Sequence, residues 1–265
     1  MLKWEADNET DYFPNYATTN TTIPYDITIG GDQVTSENAS NIRGIWLKAG
    51  KLYYDAPTNT LTLENAEIKT QAYAILSYTE GLRIELIGEN KIFSGRASSL
   101  YLSKKTTITG EGSLSVETTD NCGIFLPGSS LTIEDCTVTT KGKWGVAGNN
   151  STEAGKLLIK NAKLTAEGSN GSICDMAELT LEGSYIKDPE GAAFDADLFA
   201  VALGGQIVTE AINIVPIPDG ITSAELDKTN AQSAVYTLSG TKVNMPINKL
   251  NKGIYIVNGK KLIVK

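Results

Sequence analysis

Histidine is absent from the 265 residues, and arginine occurs only at Arg43, Arg83 and Arg96. Without histidine, Ser-His-Asp and Cys-His catalytic arrangements are excluded. Zinc sites built on imidazole are excluded as well. Acid–base chemistry would have to rest on carboxylates, lysine or tyrosine. Cysteine is scarce, at Cys122, Cys136 and Cys174. Their odd number and spacing match no zinc pattern, and a chain this long can bury a core without disulfides. They read as three small buried thiols. Basic charge is also short: 23 Lys and Arg stand against 31 Asp and Glu, a formal net charge of −8. That opposes binding to DNA, RNA or an anionic membrane through phosphates. No run approaches the ~20 apolar residues of a membrane span. The opening "MLKWEADNET" lacks the basic and apolar regions of a signal peptide. If the protein is exported, this numbering is expected to begin after a removed leader.

What the chain does contain is a phrase repeated with variations. "LTLENAEI" (Leu61 to Ile68) returns as "LTIEDCTV" (Leu131 to Val138), "LLIKNAKL" (Leu157 to Leu164) and "LTLEGSYI" (Leu179 to Ile186). Two more divergent copies are "IELIGENKI" (Ile84 to Ile92) and "TITGEGSL" (Thr107 to Leu114). The last apolar residue before each bend gives the series Leu63, Leu86, Ile108, Ile133, Ile159 and Leu181, at intervals of 22 to 26 residues. Each copy opens with apolar/polar alternation, the signature of a half-buried strand. Two residues later comes Asn65, Gly88, Gly110, Asp135, Asn161 or Gly183, types that tolerate positive φ and mark a sharp bend. A second strand follows at Ile68, Ile92, Leu114, Val138, Leu164 and Ile186. A third carries Ile75, Leu100, Ile124, Val146, Ile173 and Phe194, usually just after Gly, Ala or Ser.

Three short strands per ~24 residues predict one turn of a parallel β-helix, because each coil buries its apolar side only by stacking on the next. The fold class is therefore all-β: a single-stranded solenoid of about six coils, taken as right-handed from the rule for parallel crossovers. Residues 1–24 read as an N-terminal arm and 25–215 as the capped β-helix. Its N-terminal cap contains strands around Gly30-Gly31 and a hairpin around Asp55 to Asn59. A strand-turn-strand around Gly204-Gly205 is expected at the far end. "VPIPDG" (Val215 to Gly220) breaks the pattern, and 216–265 reads as a small β module with turns at Ser239-Gly240 and Asn258-Gly259. Thr62, Thr107, Thr132 and Thr180 fall at equivalent places, with Glu85 and Leu158 in the gaps. That is a cross-coil structural ladder, too irregular for an ice-binding face.

Two sets of non-repeated residues are candidate sites. In the third strand, the residue after each inward anchor points outward. These are Leu76, Tyr101, Phe125, Ala147, Cys174 and Asp195. Leu76, Tyr101 and Phe125, with Trp144 just ahead of its anchor, form a candidate ligand-binding stripe. Sugar C–H faces pack on such rings, and exposed apolar patches mark interaction surfaces. The competing reading is that a terminal segment covers the stripe. "DPEGAAFDAD" gathers Asp188, Glu190, Asp195 and Asp197, a candidate calcium site set against a plain solvated cap; its spacing matches no calcium loop motif. Asp120, Asn121 and Asp135 are a weaker group. Arg83 and Arg96 are the candidate bases of a calcium-dependent polyuronate lyase, and neither has a carboxylate cluster at matching coil positions.

Two resemblances follow from quoted motifs. "VYTLSGTKV", Leu250 followed by "KGIYIVNG", and the closing "KKLIVK" resemble the C-terminal sorting domain used by type IX secretion in Bacteroidetes. That implies a small sandwich, the type IX secretion machinery as a partner, and an extracellular or outer-surface location. "YDITIGGDQVTSENASNI", "YYDAPTNTLTLENAEI" and the repeat that follows resemble single-stranded β-helix domains of clostridial and Bacteroides surface proteins, classed as carbohydrate-binding. That implies a polysaccharide or cell-surface glycan as ligand, acidic plant polysaccharide among them, with calcium the one candidate cofactor. The expected function is non-catalytic binding of such a ligand or of another surface partner. A structural or adhesive surface protein is the alternative, and a calcium-dependent polyuronate lyase a further one.

Overall fold

The computed structural model describes residues 21–149, 155–218, 235–237, 240–243, 250–257 and 260–264. The described chain is all-β, and its body is a parallel β-solenoid of about five turns. Each turn contributes one strand to each of three faces. The first face stacks the start of Thr60–Thr70, then Leu82–Ile87, Thr106–Thr109, Ser130–Glu134, Lys156–Lys160 and Glu178–Glu182. Its inward column runs Leu61–Ile84–Ile108–Ile133–Ile159–Leu181 in register. The second face stacks the end of Thr60–Thr70 with Glu89–Ser94, Ser113–Thr118, Thr137–Ala147 and Lys163–Cys174, around Ile68–Ile92–Val116–Thr140–Ala166. The third uses Ile75–Ser77, Leu100–Leu102, Cys122–Phe125 and the ends of the two long strands, around Ile75–Leu100–Ile124–Val146–Ile173. Nearly all these side chains are fully buried. Each buried Ile or Leu contributes about 1.5–3 kcal/mol. The interior of the rod is the core.

The bends explain the phrase. Asn65, Gly88, Gly110, Asp135, Asn161 and Gly183 all have positive φ. At Gly88 and Gly183 a side chain is excluded twice over, because a Cβ would overlap Asn65 or Asn161 on the coil beneath. The corner between the second and third faces is lined by Ala74, Ser99, Gly123, Gly145 and Ser172, all buried, one ahead of each anchor. At Gly123 and Gly145 even a Cβ would overlap a neighbour.

The register departs from the sequence series at one place. Leu86 pairs with Leu63, but Ile108 stacks on Ile84, not on Leu86. Likewise Leu114 stacks on Asn90, and Ile92 on Val116. The longer bend through Gly110 and Gly112 takes up the two residues: Gly112 donates its N–H to the Leu86 carbonyl, and Ser113 to that of Gly88. The threonine ladder shifts with it. Thr62 lies beside Glu85 and Glu85 beside Thr109, while Thr107, Thr132, Leu158 and Thr180 stand above Arg83.

Asn90 therefore occupies an interior position, 1% exposed. Its Oδ1 accepts the Ala66 N–H at 2.8 Å, and its Nδ2 reaches the Ser113 carbonyl at 3.2 Å. Replacing it with leucine, isosteric and apolar, strands these groups. We expect Asn90→Leu to destabilise the rod by about 2–3 kcal/mol, read by chemical denaturation.

The sixth coil does not close. Glu178–Glu182 still pairs with Lys156–Lys160, but Ile212–Pro216 inserts antiparallel between Lys163–Cys174 and Ser184–Asp188. Phe194 does not extend the third column either. It pairs with Val201 in a separate antiparallel sheet of Ala193–Asp195, Ala200–Leu203 and Gln206–Ile207, the last two joined at Gly204-Gly205. A terminal coil has no parallel neighbour above it, so cap strands take its hydrogen bonds. At the other end, Pro24–Ile29 and Asp32–Thr35 form a hairpin whose first strand pairs with Ile75–Ser77, and Leu47–Asp55 covers the first face.

Among the described residues, Val235–Thr237, Lys242–Val243, Gly253–Val257 and Lys260–Val264 form a four-stranded antiparallel sheet around Val235 and Leu250. The arm up to residue 20 and the turn residues Ser239, Asn258 and Gly259 lie outside the described residues.

Candidate functional site

The outward row of the third face has the register expected from sequence: Thr28, Leu76, Tyr101, Phe125, Ala147 and Cys174 are cross-strand neighbours in succession. Stacked coils place such neighbours about 4.8 Å apart. The Tyr101 and Phe125 rings follow that spacing, with centroids 5.4 Å apart. Two residues missed by the sequence reading join them. Tyr73 meets Tyr101 edge-on at 5.2 Å, and Tyr78 lies 6.0 Å from it. Tyr78 was within reach of a period argument, since it is two residues beyond Leu76 on the same strand line. Tyr73 lies on the approach to the corner, where alternation gives no signal. Leu76, Tyr101 and Phe125 are half-buried, and Tyr78 is 51% exposed.

Beyond Phe125 the row closes over. Ala147 and Cys174 are buried, not open, in a satellite cluster with Cys122 and Ala200, against which Phe125, Trp144 and Leu198 pack. Leu198 and Ala200 belong to the C-terminal cap, so the cap covers that end of the stripe. Trp144 itself stands beside Cys122 and Gly171, off the Leu76–Tyr101–Phe125 line. Asp195 leaves the row with its coil. The open part of the stripe is thus the tyrosine-rich half: Tyr73, Leu76, Tyr78, Tyr101 and Phe125.

Burial and the neighbouring hydroxyls of Tyr78 and Tyr73 push the Tyr101 phenol above its ordinary value. The Tyr101 phenol at the centre of the patch therefore stays uncharged through neutral pH. The polar atoms of the patch are phenolic hydroxyls, which both donate and accept hydrogen bonds.

The acidic residues near the C-terminal cap make these hydrogen bonds. Asp195 Oδ1 accepts the N–H groups of Asp197 and Leu198, and Asp188 Oδ2 accepts from Asn213. Among the described residues no three acidic, cysteine or histidine side chains converge on one point. Asp120 pairs with Lys143 at 3.4 Å, while Asn121 accepts from Ser98 and the Cys122 N–H, so the structure does not gather them with Asp135. Arg83 faces a single carboxylate and not a cluster: Glu134, two coils along, lies 3.8 Å away and is shared with Lys160. This is one exposed ion pair on the first face. A shallow groove at the bend between the first and second faces, lined by Glu111, Asp135, Asn161, Lys163 and Pro216, has a volume of about 370 Å³.

No family model matches this chain, and neither does any curated protein or solved structure.

All three cysteines are free and buried. Burial pushes Cys122 up to about 11 and Cys136 up to about 12, and raises Cys174 further. A thiol held neutral when folded but free to ionise when unfolded contributes stability below the unfolded pKa of about 8.5; that stability is lost as pH rises toward the folded value. We expect stability to fall from about pH 8.5 upward. Three thiols should react with a thiol reagent at pH 8 only after denaturation, and Cys122→Ala/Cys136→Ala/Cys174→Ala should flatten the alkaline fall.

Proposed function

We propose that this protein is a non-catalytic, exported β-solenoid that binds a polysaccharide or cell-surface glycan on its tyrosine-rich third face. One observation carries the reading: Tyr73, Tyr78, Tyr101 and Phe125 form a continuous, half-open ring cluster on a rigid strand stack. Monomers normally bury such rings, and exposed clusters of this kind mark binding surfaces. Aromatic faces suit the C–H faces of pyranose rings, and the tyrosine hydroxyls suit their rim. Strand-borne side chains are locked by packing, so little conformational entropy is lost on binding. The resemblances drawn from the sequence support the same class of ligand and delivery to the cell surface.

A glycan array read with and without calcium tests this. Retention on at least one polysaccharide, lost in Tyr101→Ala and unchanged in Lys141→Ala on the second face, supports it. The Tyr101 change removes the ring at the centre of the cluster and is expected to weaken binding by about tenfold or more. No retention on any glycan contradicts the proposal in favour of a structural or adhesive role. Ultraviolet absorbance from unsaturated uronates on pectate would show a lyase.

A further inference from the structure

The caps close the solenoid unevenly. At its C-terminal end the second face ends under Ile212–Pro216 and the third under the sheet containing Ala200–Leu203. The first face has no such cover. Glu178–Glu182 is paired on one side with Lys156–Lys160, and no strand among the described residues pairs with its other edge. Its inward residues show the consequence. Leu157 and Ile159 are 1% and 0% exposed, whereas their neighbours Leu179 and Leu181 are only half-buried. An open edge with apolar side chains beneath it is a template for another strand.

The rim of this end carries more acidic than basic charge. Glu178, already paired with Lys156 at 3.2 Å, and Glu182 flank the strand, and Asp188 and Glu190 follow it with Lys187 beside them. One stretch of the chain carries only the opposite charge. From Val235 to the C-terminus there are Lys242, Lys249, Lys252, Lys260, Lys261 and Lys265 and no acidic residue. In the four-stranded sheet there, Lys260–Val264 is an outer strand, and its Ile263, 57% exposed, faces Ile254 across the ladder. The chain also leaves the solenoid at the right point. Ile217 donates its N–H to the carbonyl of Gly183 at 2.8 Å, one residue past the open strand. The 16 residues between Pro218 and Val235 can span at most about 55 Å, enough to return to a strand that close. Such a tether holds the two surfaces at millimolar effective concentration.

We propose that the open edge at Glu178–Glu182 is a docking surface for the chain's own lysine-rich C-terminal sheet. The docked sheet covers Leu179 and Leu181 and sets its lysines against Glu182, Asp188 and Glu190. Attraction between such exposed charges is screened by salt, so docking weakens as ionic strength rises.

Hydrogen exchange and zero-length carbodiimide cross-linking of the full chain, run at micromolar concentration, test this together. Expected are Lys–Glu cross-links between the C-terminal sheet and residues 178–190 within the monomer. Amide exchange at 178–182 should speed up roughly tenfold from 50 to 500 mM salt. Lys260→Glu/Lys261→Glu should produce the same deprotection at low salt. Lys242→Glu/Lys252→Glu, both exposed positions, checks that the loss does not come from misfolding of one strand. Cross-links found only in a dimer fraction would assign the edge to a second copy and overturn docking within one chain. Salt-independent exchange, or cross-links mapping elsewhere, would overturn the docking surface itself.

Discussion

Trp46→Ala is expected to cost about 3–5 kcal/mol, a large share of the stability of a domain this size. Trp46 is 4% exposed, and its ring fills the space left by two glycines. A Cβ at Gly30 or at Gly44 would overlap the indole. The Nε1–H donates to Asp32 Oδ2 at 2.7 Å, fixing the ring against the cap hairpin. The indole thus ties the loop before Leu47–Asp55 to the turn after Pro24–Ile29. Its removal opens the N-terminal end of the stack, and a solenoid is only as stable as its caps allow. Gly30→Ala should act in the same direction, because Gly30 also has a φ of +60°. Asp32→Asn keeps an acceptor and should cost far less. Denaturation midpoints of the three variants check the order.

Gly145→Ala is expected to be nearly as damaging, at about 3 kcal/mol or more, because the added methyl would overlap the backbone carbonyl of Ser172 on the next coil. Backbone in a stacked coil cannot move aside without breaking the ladder. Gly123→Ala offers the contrast. There the added carbon overlaps chiefly the hydroxyl of Thr140, a side chain, and only just the Gly145 carbonyl at 2.9 Å. Thr140→Ala should rescue Gly123→Ala in part, despite losing the 2.9 Å hydrogen bond from Thr140 Oγ1 to the Gly145 carbonyl. No single side-chain change should rescue Gly145→Ala. A double-mutant cycle separates these outcomes.

These two positions mark where the sequence was readable and where it was not. The coil period was legible because bends demand positive φ and only a few residue types supply it. Asn65, Asp135 and Asn161 announce themselves beside Gly88, Gly110 and Gly183. The small corner residues, Gly145 among them, were legible for a similar reason. The two-residue slip after Leu86 was not. A bend lengthened by Gly110 and Gly112 looks like any other Gly-rich turn, and Asn90 is a polar residue in an apolar column. Its burial depends on carbonyls and N–H groups from neighbouring coils. The insertion of Ile212–Pro216 was hidden because its partners lie about 25–50 residues earlier, and strand pairing at that range carries no local signature. Trp46 was missed because its setting, two glycines and an aspartate, is assembled from separated segments.

For the candidate site the same division holds. The line Leu76–Tyr101–Phe125 came from alternation, and the structure keeps it. Tyr73 and Tyr78 complete the cluster from positions flanking the strand. The covering of Ala147, Cys174 and Trp144 by Leu198 and Ala200 is a tertiary event in the cap. The acidic stretch near Asp188 to Asp197 looked like a ligand set in one dimension. In three dimensions Asp195 accepts within its own turn and Asp188 from a neighbouring asparagine.

The central claim is that the open rings of the third face hold a glycan, and isothermal titration with the best oligosaccharide from the array tests it most directly. Tyr101→Ala and Tyr78→Ala should each lower affinity by about tenfold, with unchanged unfolding midpoints, while chelation of calcium leaves the isotherm unaltered. Wild-type affinity in both ring variants, with binding abolished instead by changes on the first or second face, would contradict it.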